Sequence, residues 1–334
     1  MEPLVSILLP AYNVETTLSA CLRSIQRQGW PRWECVLVDD GSTDGTGRIV
    51  ERFSRRDDRF RVLTTPHRGL VAALNTGIEA CRGELIARMD ADDVMHRRRL
   101  ETQVTALLAR PDWAAVGCHV RLFPRGQLGP GYRRYEAWIN GIDSAEAVRR
   151  EAFVECPVAH PTLVLRRPRL VALGYRDRGW PEDYDLVLQL VTGGDRIGVV
   201  PRRLLGWRYH PDRLSLTAPD YAIDRFTACK AHFLADSFLA AEPQYILWGY
   251  GGTGRALRRA LEESGKRPSH IVELHTGRLG NRIHGAPVVP LSELPRLPRR
   301  PVVVSVAGAG PRGEIRRALA AMGFSETRDY ICAA

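Results

Sequence analysis

At 334 residues the chain is long for one compact domain and comfortable for two, and an apolar share of 44% is ample for a buried core. Its formal net charge of +10 comes almost wholly from arginine, Lys230 and Lys266 being the only lysines; this suits anionic partners, and no helix-turn-helix, zinc-finger or RNP-type pattern turns it toward nucleic acid. The longest apolar runs, such as 302–307, fall far short of the ~20 residues that span a bilayer.

Apolar strand patterns alternate with helical ones from the start. A strand over 4–9, with none of the basic start or long apolar run of a secretory signal, leads to an amphipathic helix over 15–28. The expectation is therefore a cytoplasmic protein, with peripheral contact at an anionic membrane surface left open. Strands over 34–40, 60–64 and 84–90 lead in turn to helices over 45–55, 70–81 and 98–109, and a strand over 114–122 closes the series. That rhythm predicts an α/β fold: a mostly parallel sheet with helices on both faces. Past Phe123 the pattern loosens into a Gly- and Pro-rich stretch, 124–131. It resumes with a strand near 162–165, a helix opening at Glu182, strands over 196–200 and 204–209, and a long helix over 221–240. Pro243 marks a break, after which a fresh βα unit begins at 245–248 and continues through 271–273, 302–306 and 314–322. The expected domains are 1–242 and 243–334. Seven scattered cysteines (Cys21, Cys35, Cys81, Cys118, Cys156, Cys229 and Cys332), with no CxxC pair, are expected to be buried reduced thiols.

In an open α/β sheet, ligands bind at the carboxyl ends of the strands. Here the first strand ends in Pro10-Ala11-Tyr12-Asn13, the second in Asp39-Asp40-Gly41-Ser42-Thr43-Asp44-Gly45, and the fourth in Arg88-Met89-Asp90-Ala91-Asp92-Asp93. Asp44 and Asp93 suit helix N-caps, and Asp40-Gly41 is ordinary turn chemistry. Capping does not explain Asp90 and Asp92. Their hard oxygens suit Mg²⁺ or Mn²⁺ shared with substrate phosphates, where a divalent ion neutralises charge growing on a leaving diphosphate.

These pieces, in this order, resemble glycosyltransferase family 2. The resemblance runs through 5–13, 38–45, Arg68-Gly69-Leu70 with 73–77, Arg82-Gly83-Glu84 leading to 88–93, His160-Pro161-Thr162, 182–186 and Arg208-Tyr209-His210, about two thirds of the chain. It implies the GT-A fold and inverting transfer from a nucleotide-diphosphate-sugar, such as a UDP-sugar, to a hydroxyl of a glycan or lipid-linked acceptor in bacterial surface polysaccharide synthesis. Residue by residue, it implies that Pro10, Tyr12, Asn13 and Glu15 shape the base pocket and that Asp40 accepts a hydrogen bond from the base. Arg68 belongs to the same donor-binding set, Arg88 and Asp90 lie beside the ribose and donor sugar, and Asp92 holds the metal with Asp90. Asp183 is the implied general base, with Glu182 on the acceptor side. Glu182 and Asp183 at a helix start are also what the helix dipole favours. Arg208 and His210 either complete the phosphate and metal site or, for Arg208, pair with a surface acid. His160 is either an acceptor-side residue or a satisfied structural histidine. Acceptor loops are expected within 124–154.

In the second domain, 246–248 runs into Gly249-Tyr250-Gly251-Gly252-Thr253-Gly254 and then a helix, which is G-x-G-x-x-G in the strand-to-helix setting of a nucleotide site. Glu273 stands about where a ribose-binding acid is expected. The segment resembles small Rossmann-like domains appended to some family 2 transferases, but Glu273-Leu274-His275-Thr276-Gly277 replaces the Asp-rich turn of those domains. A nucleotide site built from Gly249, Gly251, Gly254 and Glu273 and a structural or docking role, including self-association, are both open. For the whole chain the competing readings are a nucleotide-sugar-binding regulatory protein with a degenerate site, and a nicotinamide-dependent oxidoreductase resting on the second domain alone.

Overall fold

Eight strands in the first two thirds of the chain form one sheet in a computed structural model that describes residues 2–334. They are β1 (Val5–Ala11), β2 (Trp33–Asp39), β3 (Phe60–Thr64), β4 (Leu85–Arg88), β5 (Val94–Met95), β6 (Trp113–Phe123), β7 (Val164–Arg166) and β8 (Arg196–Arg208), in the order β3-β2-β1-β4-β7-β6-β8-β5. β1 pairs in parallel with both β2 and β4, and β2 with β3. β1 and β2 are buried along their whole length, as unbroken apolar strands in a helix-covered sheet should be. Pro10 is tolerated in β1 because the ladder with β4 stops at Leu8, so the missing amide falls where one side of the strand is already unpaired. The sheet is mixed beyond β4: β7 runs antiparallel to both β4 and β6. Two reversals leave β6 and its parallel neighbour β8 pointing the same way as β1. The ends of β1, β2, β4, β6 and β8 therefore meet at one edge. A core including Ile7, Leu9, Leu37, Leu100, Val116 and Leu204 underlies it.

A second sheet contains β9 (Gln244–Trp248), β10 (Arg267–Val272), β11 (Arg282–Ile283), β12 (Ala286–Val289), β13 (Val302–Val304) and β14 (Tyr330–Cys332), ordered β11-β12-β10-β9-β13-β14. All its pairs are parallel except the β11–β12 hairpin. Ile246, Trp248, Val272, Val302, Val304 and Leu319 form its core.

The chain divides into two compact units at positions other than the expected 242/243 break. The first runs up to Val148 and includes Pro157–Arg178 and Asp185–Thr217; the second contains Arg149–Cys156, Gly179–Tyr184 and Ala218–Ala334. The helix Ile223–Asp236, expected to close the first domain, joins the second because it packs along the helix Gly252–Glu263. Its half-buried Lys230 donates through Nζ to the carbonyls of Ala333 at 2.9 Å and Val154 at 3.1 Å. The segment 149–156 is tied in by Glu151, which Arg316 meets at 2.9 Å, and by Ala152, whose carbonyl accepts from the Tyr184 hydroxyl at 2.8 Å. All seven cysteines are buried thiols, as expected. No helix among the described residues is long and apolar enough to cross a membrane.

Candidate active site

The loops after β1 and β2 are laced together by the residues assigned to the base pocket. Asn13, in the left-handed region at φ 51°, which asparagine tolerates, accepts from the Thr43 amide at 2.9 Å and donates its own amide to Ser42 Oγ at 3.0 Å. Glu15 Oε2 accepts from the Gly45 amide at 2.6 Å, while Asp44 takes the amides of Glu15 and Thr46. Asn13 and Glu15 thus hold the loop's shape. Pro10 is buried within β1.

Asp40 is buried and already occupied: Oδ1 accepts from the Arg68 amide at 3.0 Å and Oδ2 from the Gly69 amide at 2.8 Å. It clamps the start of the helix Leu70–Ala80, where two amides would otherwise lack acceptors. Gly41, at φ 72°, must be glycine, since a Cβ would lie 2.7 Å from the His67 amide nitrogen. His67, which the sequence reading passed over, sits 2.9 Å from Asp40 Oδ2 and stacks on Tyr12 with ring centroids 3.9 Å apart and planes within 15°. Tyr12 is 43% exposed, so the stack presents an open aromatic surface between the loops after β1 and β3. Arg68 is exposed, its guanidinium 3.3 Å from Thr76 Oγ1.

The acidic group follows β4. One carboxylate oxygen from each of Asp90, Asp92 and Asp93 lies within 4.8 Å of the others. Arg88, almost fully buried, pairs with Asp90 at 2.6 Å and donates to the Met89 carbonyl. Asp93 was expected as a cap, but the next helix begins only at Arg99. Instead Asp93 is fully buried, accepts the Arg208 amide on Oδ1 at 2.7 Å, and carries an Oδ2 with no hydrogen-bond partner. Burial first, then the charges of Asp92 and Asp90, push the Asp93 carboxyl well above the usual range. Burial and the Asp90 charge raise Asp92 as well. Crowded hard oxygens with one buried oxygen unsatisfied are a donor set that a divalent cation fits.

β8 delivers the other side. Arg208 Nε donates to the Asp92 carbonyl at 2.6 Å, and its guanidinium lies 4.6 Å over the Phe123 ring. The alternative of a surface ion pair therefore does not apply. His210 Nε2 is 3.2 Å from Asp92 Oδ2. Arg213, also unforeseen, lies 4.6 Å over the Trp207 ring and draws the Asp92 carboxyl down against its burial. His160 is buried, with Nε2 2.7 Å from the Tyr175 hydroxyl; burial and the neighbouring Arg88 charge hold it well below the usual histidine range. It occupies the position of a structural histidine.

In the second unit, Glu182 and Asp183 open the helix Glu182–Thr192. Glu182 is buried and accepts from the Tyr221 hydroxyl at 2.7 Å, whereas Asp183 is half-exposed with Oδ1 on the Tyr184 amide at 2.7 Å. In the first unit, Asp185 is fully buried in a two-pronged pair with Arg176, both contacts at 2.8 Å. The glycine-rich turn after β9 has mostly packing reasons. A Cβ on Gly249 would lie 2.5 Å from Val306, and one on Gly254 2.2 Å from the Gly249 carbonyl oxygen, while Gly251 faces open space. Glu273 accepts from the Leu274 and His275 amides and from Arg278 at 2.8 Å, so its carboxylate is already engaged.

The chain is similar to known proteins. The family model described as glycosyl transferase family 2 matches residues 6–172. A putative glycosyltransferase EpsE from Bacillus subtilis is 30% identical over 240 residues, covering 68% of this chain and 82% of EpsE. A glucosyltransferase from Escherichia coli, WfgD, is 39% identical over 106 residues, covering 31% of this chain and 41% of WfgD. Among solved structures, S. aureus TarS in complex with UDP-GlcNAc aligns with a TM-score of 0.55 at 17% identity, over 77% of this chain and 71% of that one. The mannosyltransferase PcManGT from Pyrobaculum calidifontis aligns at 0.51 with 23% identity, over 79% and 73%. The chain belongs to glycosyl transferase family 2 and has the GT-A fold.

Proposed function

We propose that the chain is a metal-dependent, inverting hexosyltransferase that takes a sugar from a UDP-sugar and delivers it to a hydroxyl of a glycan or lipid-linked acceptor in surface polysaccharide synthesis. The observation that carries this reading is the group Asp90, Asp92 and Asp93 with its unsatisfied buried oxygen, flanked by His210. The names of relatives support the substrate class: WfgD is a UDP-Glc:α-D-GlcNAc-diphosphoundecaprenol β-1,3-glucosyltransferase, and TarS was solved with UDP-GlcNAc and with UDP. PcManGT was solved with GDP-Man and Mn²⁺.

In this reading the Tyr12–His67 stack receives the base, whose ring nitrogen meets the edge held by Asp40. Arg88 fixes Asp90 toward the ribose and donor sugar, and Arg208 fixes the backbone of Asp92. Asp90 and Asp92, with His210, would hold Mn²⁺ or Mg²⁺; a divalent ion there neutralises the charge of the departing diphosphate. Asp183 takes the proton from the acceptor hydroxyl as that oxygen attacks the anomeric carbon. Of the three neighbouring acids it is the half-exposed one, while Glu182 and Asp185 are buried. The test is calorimetric titration of UDP with and without Mn²⁺. Wild type is expected to bind about 100-fold more tightly with the ion, a difference that Asp92→Ala abolishes. Equal affinity in EDTA for both proteins overturns the metal-dependent reading.

A further inference from the structure

At the ends of β6 and β8, next to the acidic group, lies a cluster of rings: Phe123, Tyr132, Tyr135, Trp138, Trp207 and Tyr209. Most are committed to one another or to cations. Arg208 covers Phe123, Arg213 covers Trp207, and Tyr135 packs against both Trp138 and Trp207. Tyr132 and Tyr209, half-exposed like the other rings, form a pair of their own with centroids 4.5 Å apart at 55°.

The pair is built rigidly. Tyr209 donates its amide to the Phe123 carbonyl at 2.7 Å, and it stands between Arg208 and His210, both anchored on Asp92. Tyr132 rides on the helix Pro130–Ile139, which is fixed to β6 through Glu136: its carboxylate accepts from the Leu122 amide at 3.0 Å and pairs with Arg125. Along the carboxyl edge, the Tyr12–His67 stack belongs to the loops after β1 and β3, the acidic group follows β4, and the tyrosine pair stands beyond, at β6 and β8.

We infer that Tyr132 and Tyr209 form the stacking surface for the acceptor's pyranose ring. The inference rests on the transfer reading above, because a base surface on one side of a diphosphate site leaves the other side to the acceptor. A pyranose presents a face of C–H groups and a rim of hydroxyls. A tyrosine pair answers with electron-rich ring faces and with hydroxyls that donate and accept. The helix carrying Tyr132 lies in the stretch 124–154, where acceptor loops are expected.

The probes are methyl β-D-glucopyranoside, methyl β-D-galactopyranoside and methyl 2-acetamido-2-deoxy-β-D-glucopyranoside, each followed by saturation-transfer NMR on full-length protein holding UDP and Mn²⁺. Ring C–H protons of at least one pyranoside should receive saturation in wild type. The signal should fall at least about fivefold in Tyr132→Ala and survive in Tyr132→Phe, while UDP titration on the same samples changes less than about twofold. Pyranoside signals that persist in Tyr132→Ala, or that are absent from wild type holding UDP, overturn the stacking surface alone. Failure of wild type to bind UDP overturns the donor reading and this inference with it.

Discussion

The two sheets obey the same construction rule and differ in what they leave uncommitted at their carboxyl edges. Each has a parallel strand followed by a tight turn and a helix, the setting in which α/β proteins place ligands. After β9 the polar groups are spent on the fold: Glu273 is held by Arg278 and two amides, and Ser305 Oγ donates to the Gly249 carbonyl at 2.7 Å. After β4 three carboxylates crowd together and one buried oxygen stays unsatisfied. A glycine pattern marks where the backbone must approach something closely, and in the second sheet that something is its own neighbouring strand. The proposed chemistry needs polar groups that the fold leaves unsatisfied, and the first edge offers them.

The largest expected effect is loss of the proposed base. Asp183→Asn should keep UDP binding and lose transfer by about 10²–10⁴-fold, the usual range for a general base. Full transfer by the Asn variant would move the base elsewhere. Glu182 and Asp185 are poor replacements, since each is buried and bonded to a partner, Tyr221 and Arg176.

A smaller effect separates packing glycines from ligand glycines. Gly254→Ala puts a Cβ 2.2 Å from a backbone oxygen and 2.6 Å from Ser305 Oγ, neither of which can swing away easily. Thermal unfolding should show a loss of about 3 kcal/mol, the upper part of the overpacking range. Gly251→Ala meets nothing within 4 Å and should stay within about 0.5 kcal/mol. A Gly251→Ala variant as unstable as Gly254→Ala would break the packing account. One that weakens nucleotide binding without loss of stability would return the turn to a ligand role.

Much of this was legible in the sequence because it is local. Strand patterns over 60–64 and 114–122 lie within a residue of β3 and β6, since an apolar run between turn signals needs no partner to be recognised. What pairing decides was not legible. β7 is three residues long and enters antiparallel between β4 and β6, a placement that no periodicity encodes. The patterns at 196–200 and 204–209 belong to the single strand β8, whose ladder shifts register between Val200 and Arg203, and the shift hides its continuity. In the site, Asp90 and Asp92 stood out as carboxylates without a local structural duty. Asp93 looked like a cap because its partner amide, on Arg208, is 115 residues away. His67 carried a weak local signal beside Arg68-Gly69, and only the fold brings it onto Tyr12.

The subtlest test concerns a cation inside the second unit. Burial lowers the Lys230 ammonium from 10.5 to about 8, against the opposing pull of Glu155. Below about pH 8 the lysine is protonated folded and unfolded alike, so its contribution there does not change with pH. Between about 8 and 10.5 the unfolded chain binds a proton that the folded one has released, and stability from this group must rise with pH. The slope cannot exceed about 1.4 kcal/mol per pH unit for one proton. Lys230→Met removes the titration and leaves the Val154 and Ala333 carbonyls without their donor, so it should cost about 1–3 kcal/mol. Denaturant melts of both proteins from pH 7 to 10 separate the two effects, because tyrosines shared by both chains cancel in the difference. Wild type should gain on Lys230→Met as pH rises above 8. A flat difference would mean that Lys230 stays charged throughout, held as an ion by Glu155, and that the second unit retains a charged pair inside its core.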